Sequence, residues 1–308
     1  MACIASEGQL GQGESMKRSK FPDFRTFSVI SGLLIFVAAP GCFGPGCFGE
    51  EPAPAATAAF NSYIGGVELR LGEQHRSTDG FLASVAAQKE TSLRGGELGI
   101  EELTPSGGTA LPGALLHHWR GAAFAPGATA ADFERLMKDV NDYPQNFSPQ
   151  VLQARVTAQK GDSLQTLMRV RQRHVITVVM DTAYDVTFGR LDERHGYSIS
   201  RSTRISEIDS PGTGAERVLS SKDEHGFLWR LNTYWSYEER DGGLSMQIES
   251  VSLTRSIPRG LGWVVQPFVE SVPRESLEFT LRSTCNALRN GNEREKKSEV
   301  AVTGRTGR

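Results

Sequence analysis

From Val151 to Thr254, apolar and polar side chains alternate with a period of two. Such alternation marks strands with one dry and one wet face. Leu164, Thr166, Met168 and Val170 alternate with Gln165, Leu167, Arg169 and Arg171. From Ile176 the even positions Val178, Met180, Tyr184, Val186 and Phe188 make a second dry face. Tyr197–Ile208 predicts a further strand, rich in hydroxyls and basic groups. Phe227, Trp229, Leu231, Thr233, Trp235 and Tyr237 share one face of the next. Asp241-Gly242 marks a hairpin turn, after which Leu244–Thr254 returns antiparallel. Along this return the apolar parity changes: Leu244, Met246 and Ile248 are even, Val251 and Leu253 odd. A β-bulge at Glu249-Ser250 accounts for the switch.

Helical periodicity lies at the two ends of this strand region. Phe60, Tyr63, Ile64, Val67 and Leu71 predict a helix over Ala58–His75, although Gly65-Gly66 weakens it by about 1 kcal/mol per glycine. Phe81–Lys89 and Glu97–Leu103 read as short strands, and Ala114–Phe124 as the first strand of the main domain. Thr129 is a good N-cap for Ala130–Val140, with Asp132 in the first turn. Pro144 closes that helix, with a short helix expected near Gln145–Phe147. A helix over Gly260–Glu270 follows Pro258. Pro273 opens a last amphipathic helix, Arg274–Arg289, whose face is Leu277, Phe279, Leu281, Ala287 and Leu288. A long sheet with one late helix must close on itself or grip that helix.

The segment Gly127–Val156 adds topology. A helix over Ala130–Val140 leads into Asp139-Val140-Asn141-Asp142-Tyr143-Pro144-Gln145-Asn146-Phe147-Ser148-Pro149 and then a strand. This order resembles the START-like (SRPBCC) helix-grip superfamily, which includes polyketide cyclases and lipid-transport proteins. The resemblance covers residues 114–290. It implies an α+β helix-grip fold, with a curved antiparallel sheet wrapped around the C-terminal helix and an apolar cavity between them. It transfers no catalytic residue. Residues 58–113 form an N-terminal extension under this reading, and 291–308 a polar, disordered tail.

The N-terminus changes the picture of where the protein works. Met16-Lys17-Arg18-Ser19-Lys20 precedes an uncharged apolar run, Phe27–Ala39, and then the small residues Pro40-Gly41-Cys42. That is the grammar of a secretory signal. Residues 1–57 therefore read as a signal peptide starting at Met16 plus a flexible Gly/Pro/Ala tether. The expected destination is a bacterial envelope, periplasmic or as a membrane-anchored lipoprotein. Cys42 is the lipidation candidate; cleavage near Ala53-Pro54-Ala55 or Ala56-Thr57-Ala58 is the alternative.

Charge excludes some partners. Thirty-four basic and 36 acidic residues leave a net charge of -2, too little for a general electrostatic grip on nucleic acid. No Cys/His spacing suits a metal, no cofactor fingerprint is present, and Cys285 reads as a small packing residue. The candidate chemistry is therefore apolar. Met180, Tyr184, Trp229, Leu231, Trp235, Tyr237, Met246 and Ile248 are assigned to an inner face suited to a hydrophobic small molecule or lipid. Arg169, Arg171, Arg173, Arg201 and Arg204 form a basic strip that either meets a membrane surface or pairs with carboxylates. His117 and His118 point to opposite faces of one strand. An acid/base pair of one histidine with Glu249 is the alternative, enzymatic reading; Glu249 with Arg255 is either a buried pair orienting a ligand or a structural pair at the sheet rim. A filled interior would mean a scaffold instead. Binding ranks above catalysis.

Overall fold

The structure, a computed structural model, describes residues 51–85, 90–173, 177–256 and 262–303, the last of these at side-chain level over 271–294. The signal-peptide region, with Cys42, lies outside the described residues. The elements are α1 (Pro54–Gln74), α2 (Glu90–Arg94), β1 (Gly99–Glu102), β2 (Thr109–Leu111) and β3 (Ala114–Pro126). Then come α3 (Ala130–Lys138), a 3-10 turn (Val140–Asp142), α4 (Tyr143–Asn146), β4 (Val151–Lys160), β5 (Ser163–Arg173) and β6 (Thr177–Arg190). β7 (His195–Asp209), β8 (Arg217–Val218), β9 (Arg230–Arg240), β10 (Gly243–Arg255) and α5 (Gly262–Thr303) complete the chain.

All strands join one antiparallel sheet in the order β1-β3-β10-β9-β7-β6-β5-β4, with β2 on β3 and β8 on β7. One face takes α3, α4 and α5. There Leu277, Leu281, Thr284 and Leu288, at helical spacing, are buried against β3 and its neighbours. Gly121 on β3 permits the close approach: a Cβ there would stand 2.7 Å from Leu281 Cδ1. This is the α+β helix-grip arrangement expected from the sequence, a curved antiparallel sheet holding a C-terminal helix.

The opposite face is covered too. Phe60, Ile64, Val67 and Leu71 of α1 pack on Leu116, Trp229, Tyr234, Val251 and Leu253. The helix tolerates Gly65 and Gly66 because both glycines face open space and the apolar stripe carries the packing. This second layer corrects two expectations. β10 pairs in unbroken register with β3 from Gly243 to Arg255 and with β9 from Gly243 to Leu253, so there is no bulge at Glu249-Ser250. The parity switch arises because even residues of β10 serve the α5 core and odd residues the α1 core. The register shifts lie elsewhere, between β4 and β5 and at Ala183/Tyr184 between β6 and β7.

Other boundaries move for local reasons. Phe81–Val85 is not a strand. Its backbone is satisfied by side chains: Ala83 N donates to Gln247 Oε1, and Gln247 Nε2 donates to Ala83 O. The Thr129 capping box with Asp132 starts α3 as expected. Asp241 and Gly242 both have positive φ, 55° and 75°, as a type I′ turn demands. The two expected C-terminal helices are one: α5 passes through Pro273 without ending and continues to Thr303, through residues read from sequence as a polar tail.

Candidate functional site

Between the sheet and its helical cover lies a cavity of about 280 Å³. Its roof begins at the α3–α4 corner. Tyr143 Oη donates to the Met137 carbonyl at 2.7 Å, which ties the Tyr143-Pro144 segment back onto α3. Tyr143 and Phe147, edge-to-face with centroids 5.1 Å apart, then face the cavity together with Met137 and Val140. Val272, Ser276, Leu277 and Thr280 of α5 close the remainder. Glu134 takes both Arg190 and Lys138, pinning α3 over the β5 and β6 side.

The floor is written in the strand registers. Leu164 stands opposite Val186, Val186 opposite Ser200, Ser200 opposite Thr233, and Thr233 opposite Ser250. All five line the cavity. The row therefore runs from apolar to hydroxyl-bearing side chains as it crosses the sheet. Ser250 in turn faces Trp119, whose buried indole Nε1 has no partner. One row along, cavity-lining Leu231 and Ser252 stand opposite each other, and Ser252 faces His117. His117 is 1% exposed, and neither ring nitrogen has a hydrogen-bond partner. Burial pushes its pKa down, which keeps the ring neutral. One end of the cavity is thus greasy; the other carries hydroxyls beside unsatisfied donors. Phe227 and Leu228 stand at its edge, Phe227 being 42% exposed.

Of the eight residues assigned from sequence, Leu231, Trp235 and Ile248 line the cavity. Tyr237 and Met246 share that face but are buried in the core, Tyr237 against Phe133 at 4.5 Å between centroids. Met180 and Tyr184 lie on the same face of β6 as Val186 and Phe188 and are buried beyond the described lining. Burial raises the Tyr184 phenol to about 12. Trp229 is a correction: it packs on the opposite face, with the α1 cluster. The reason is that β9 begins only at Arg230, so strand parity does not extend back to Trp229. Sequence reading missed the Ser198, Ser200, Ser250 and Ser252 hydroxyls, because small polar side chains at even positions look like a wet face.

His117 and His118 take opposite faces, as expected. Glu249 does not meet a histidine inside the cavity; it lies under α1, as an odd residue of β10. There His118 Nε2 is 2.8 Å from Glu249 Oε2, and Tyr63 Oη is 2.9 Å from His118 Nδ1. Arg120 grips Glu249 Oε1 with two nitrogens, at 2.9 and 3.1 Å, and Arg70 reaches Oε2. Burial pulls the Glu249 carboxyl upward, but hydrogen bonds from His118 and Arg70 and the Arg120 charge outweigh it and hold it at about 2. Arg255 is not its partner. Two arginines of the basic strip pair with carboxylates, Arg169 with Asp181 and Glu216 and Arg201 with Glu68, while Arg171 donates to the Pro149 carbonyl. Cys285 is half-buried with its thiol pushed up by burial, which makes it unreactive packing. Among the described residues, no cluster of His, Cys, Asp and Glu could hold a metal ion, and no helix is long and apolar enough to cross a membrane.

No protein-family model and no curated protein matches the chain. Similar solved structures include a STAR-related lipid transfer protein from Xanthomonas axonopodis, 17% identical, covering 62% of this chain and 99% of that one, TM-score 0.39. Human STARD10 is 11% identical over 70% of this chain and 85% of its own, TM-score 0.40. The Zhui aromatase/cyclase from Streptomyces sp. R1128 is 9% identical over 56% and 94%, TM-score 0.40. The solved structures the chain resembles are thus START-domain and aromatase/cyclase proteins.

Proposed function

We propose that the chain binds a hydrophobic small molecule or lipid bearing one polar group, in the cavity between sheet and α5. The observation that carries this reading is the graded floor: apolar Leu164 and Val186 at one end, Ser200, Thr233 and Ser250 at the other. A filled core would need no such hydroxyl row, and a polar channel would not need Trp235, Phe188 and Phe147. Unpartnered His117 and Trp119 Nε1 beyond the row are costly to bury unless a ligand group or water meets them.

The test is native mass spectrometry and organic extraction of the purified chain, followed by titration with a lipophilic fluorescent probe. Ser250→Leu, which fills the polar end with an apolar side chain, should weaken probe binding roughly ten-fold, about 1.4 kcal/mol. A chain that carries no extractable ligand and binds no probe would reject the proposal.

The working location is the cell envelope, on the strength of the basic start at Met16, the apolar Phe27–Ala39 run and the small residues before Cys42. Fractionation of the tagged full chain, with and without Cys42→Ala, tests this. Signal processing that survives the substitution points to a soluble periplasmic form, and loss of membrane association points to a lipid anchor. A chain left unprocessed in the cytoplasm would refute export.

A further inference from the structure

The face of the sheet away from the cavity carries its own reactive arrangement. Tyr63 of α1, His118 of β3 and Glu249 of β10 form a continuous chain: Tyr63 Oη to His118 Nδ1, 2.9 Å, and His118 Nε2 to Glu249 Oε2, 2.8 Å. Its direction follows from chemistry. Glu249, held at about 2, is an ionised acceptor, so His118 Nε2 carries the proton it donates. With the imidazole neutral, Nδ1 then holds the lone pair that accepts from Tyr63 Oη. The His118 side chain is 3% exposed, with both nitrogens engaged. Tyr63 and His118 both line a surface depression of about 380 Å³, together with Val67, Arg70, Leu103 and Arg120.

A strap holding α1 to the sheet would already be complete with Arg70–Glu249 and the apolar contacts of Val67 and Leu71. It would not require an imidazole oriented by a carboxylate toward a partly exposed phenol. Nucleophile, base and orienting carboxylate in hydrogen-bond sequence is the general signature of an activated nucleophile.

We infer that Tyr63 is the nucleophile of an acyl-transfer site for small carboxylic esters on the α1 face, with His118 as its base and Glu249 as the positioning residue. Tyr63 Oη attacks the ester carbonyl while its proton passes to His118 Nδ1. The alcohol then leaves with that proton as the acyl–Oη bond is completed. Water, losing a proton to the same nitrogen, attacks the acyl-tyrosine; the acid departs and Tyr63 recovers its proton. The sum is ester plus water giving acid plus alcohol. An aryl ester intermediate is a good leaving arrangement, so the second step is not a trap.

The experiment uses the full chain with p-nitrophenyl acetate. Acid quenching and peptide mapping should place one acetyl group on Tyr63, and p-nitrophenolate release should fall roughly a hundred-fold in both Tyr63→Phe and His118→Gln. Phe keeps the ring that packs edge-to-face on His118, so circular dichroism should match the wild type. Glu249→Gln should also change the pH dependence of release. The charged and titratable groups around it are Tyr63 and Arg70 of α1, His75 just after α1, His118 and Arg120 of β3, and Glu101 of β1. Acetylation elsewhere, no adduct on wild-type Tyr63, or unchanged release in a folded Tyr63→Phe would overturn the inference. An unchanged pH profile in folded Glu249→Gln would remove Glu249 from it.

Discussion

Glu249 shows how much one buried charge contributes when its partners are in place. Its carboxyl ionises at about 2 in the fold against an ordinary 4.5. The folded value is depressed, so the stabilisation is present above the unfolded pKa and is lost as pH falls from 4.5 through about 2. The difference corresponds to about 3 kcal/mol. His75 acts in the window above. Its ring is held at about 4, first by burial and then by the Arg70 charge, partly offset by Glu249; it is stacked on Tyr197 and bonded to Ser236. As pH drops below 6.5 the unfolded chain takes up a proton that the fold refuses, so stability falls between pH 6.5 and 4. Denaturant midpoints measured at intervals from pH 7 to 2 should decline continuously. His75→Gln should flatten the upper part, and Glu249→Gln the lower. At neutral pH Glu249→Gln should cost about 3–5 kcal/mol, because it leaves buried arginine and histidine groups unpaired. A loss under 1 kcal/mol would mean that water reaches the network.

At the scale of elements, the contact between α5 and β3 is set by the absence of one side chain. Gly121→Val should push Leu281 and Leu277 away and cost about 1–3 kcal/mol, while Leu281→Ala, which empties the same place, should cost about 2–5 kcal/mol. Thermal denaturation of both variants checks this, and wild-type melting in either one would show that α5 is not gripped there. The elements themselves were largely legible in the sequence: strands β3 to β7, β9 and β10, the Thr129-capped α3, the Asp241-Gly242 hairpin and the C-terminal helix all follow from periodicity and turn chemistry. What alternation could not convey was that the sheet has two buried faces. Val251 and Leu253 looked out of phase with Ile248 because each parity answers to a different helix. Of the strand expected at Phe81–Lys89, the described part, Phe81–Val85, is not a strand, because Gln247 supplies by side chain the pairing a neighbouring strand would otherwise give; residues 86–89 lie outside the described residues. The cavity was legible by its aromatic members, Trp235 above all, and hidden by its serines. A pairing of Glu249 with one of the two histidines was an alternative reading, set inside the cavity; that the partner is His118, under α1, depends on contacts across 131 residues that no local pattern encodes.

For the molecule as a whole, the ten-stranded sheet is a partition. Cavity and Tyr63 site lie on opposite sides of it, so changes at one should leave the other within error. A double variant, Ser250→Leu with Tyr63→Phe, should show additive effects on probe binding and ester release, to within about 0.5 kcal/mol. Coupling well beyond that would reveal a rearrangement of β10 common to both sites.

That partition also decides where this protein can accept inserted residues. One added residue after Ile248 would reverse every later side chain of β10, sending Val251 and Leu253 toward the hydroxyl row and the serines under α1. Both layers would be spoiled at once, with no solvent side to absorb the mistake. The polar stretch between Asp209 and Glu224 is the reverse case: exposed along most of its length and anchored at its far end, where backbone amides of His225, Gly226 and Phe227 meet Glu207. A reporter peptide spliced in near Gly214 would only lengthen a loop, at a chain-closure cost of about 0.6 kcal/mol per doubling.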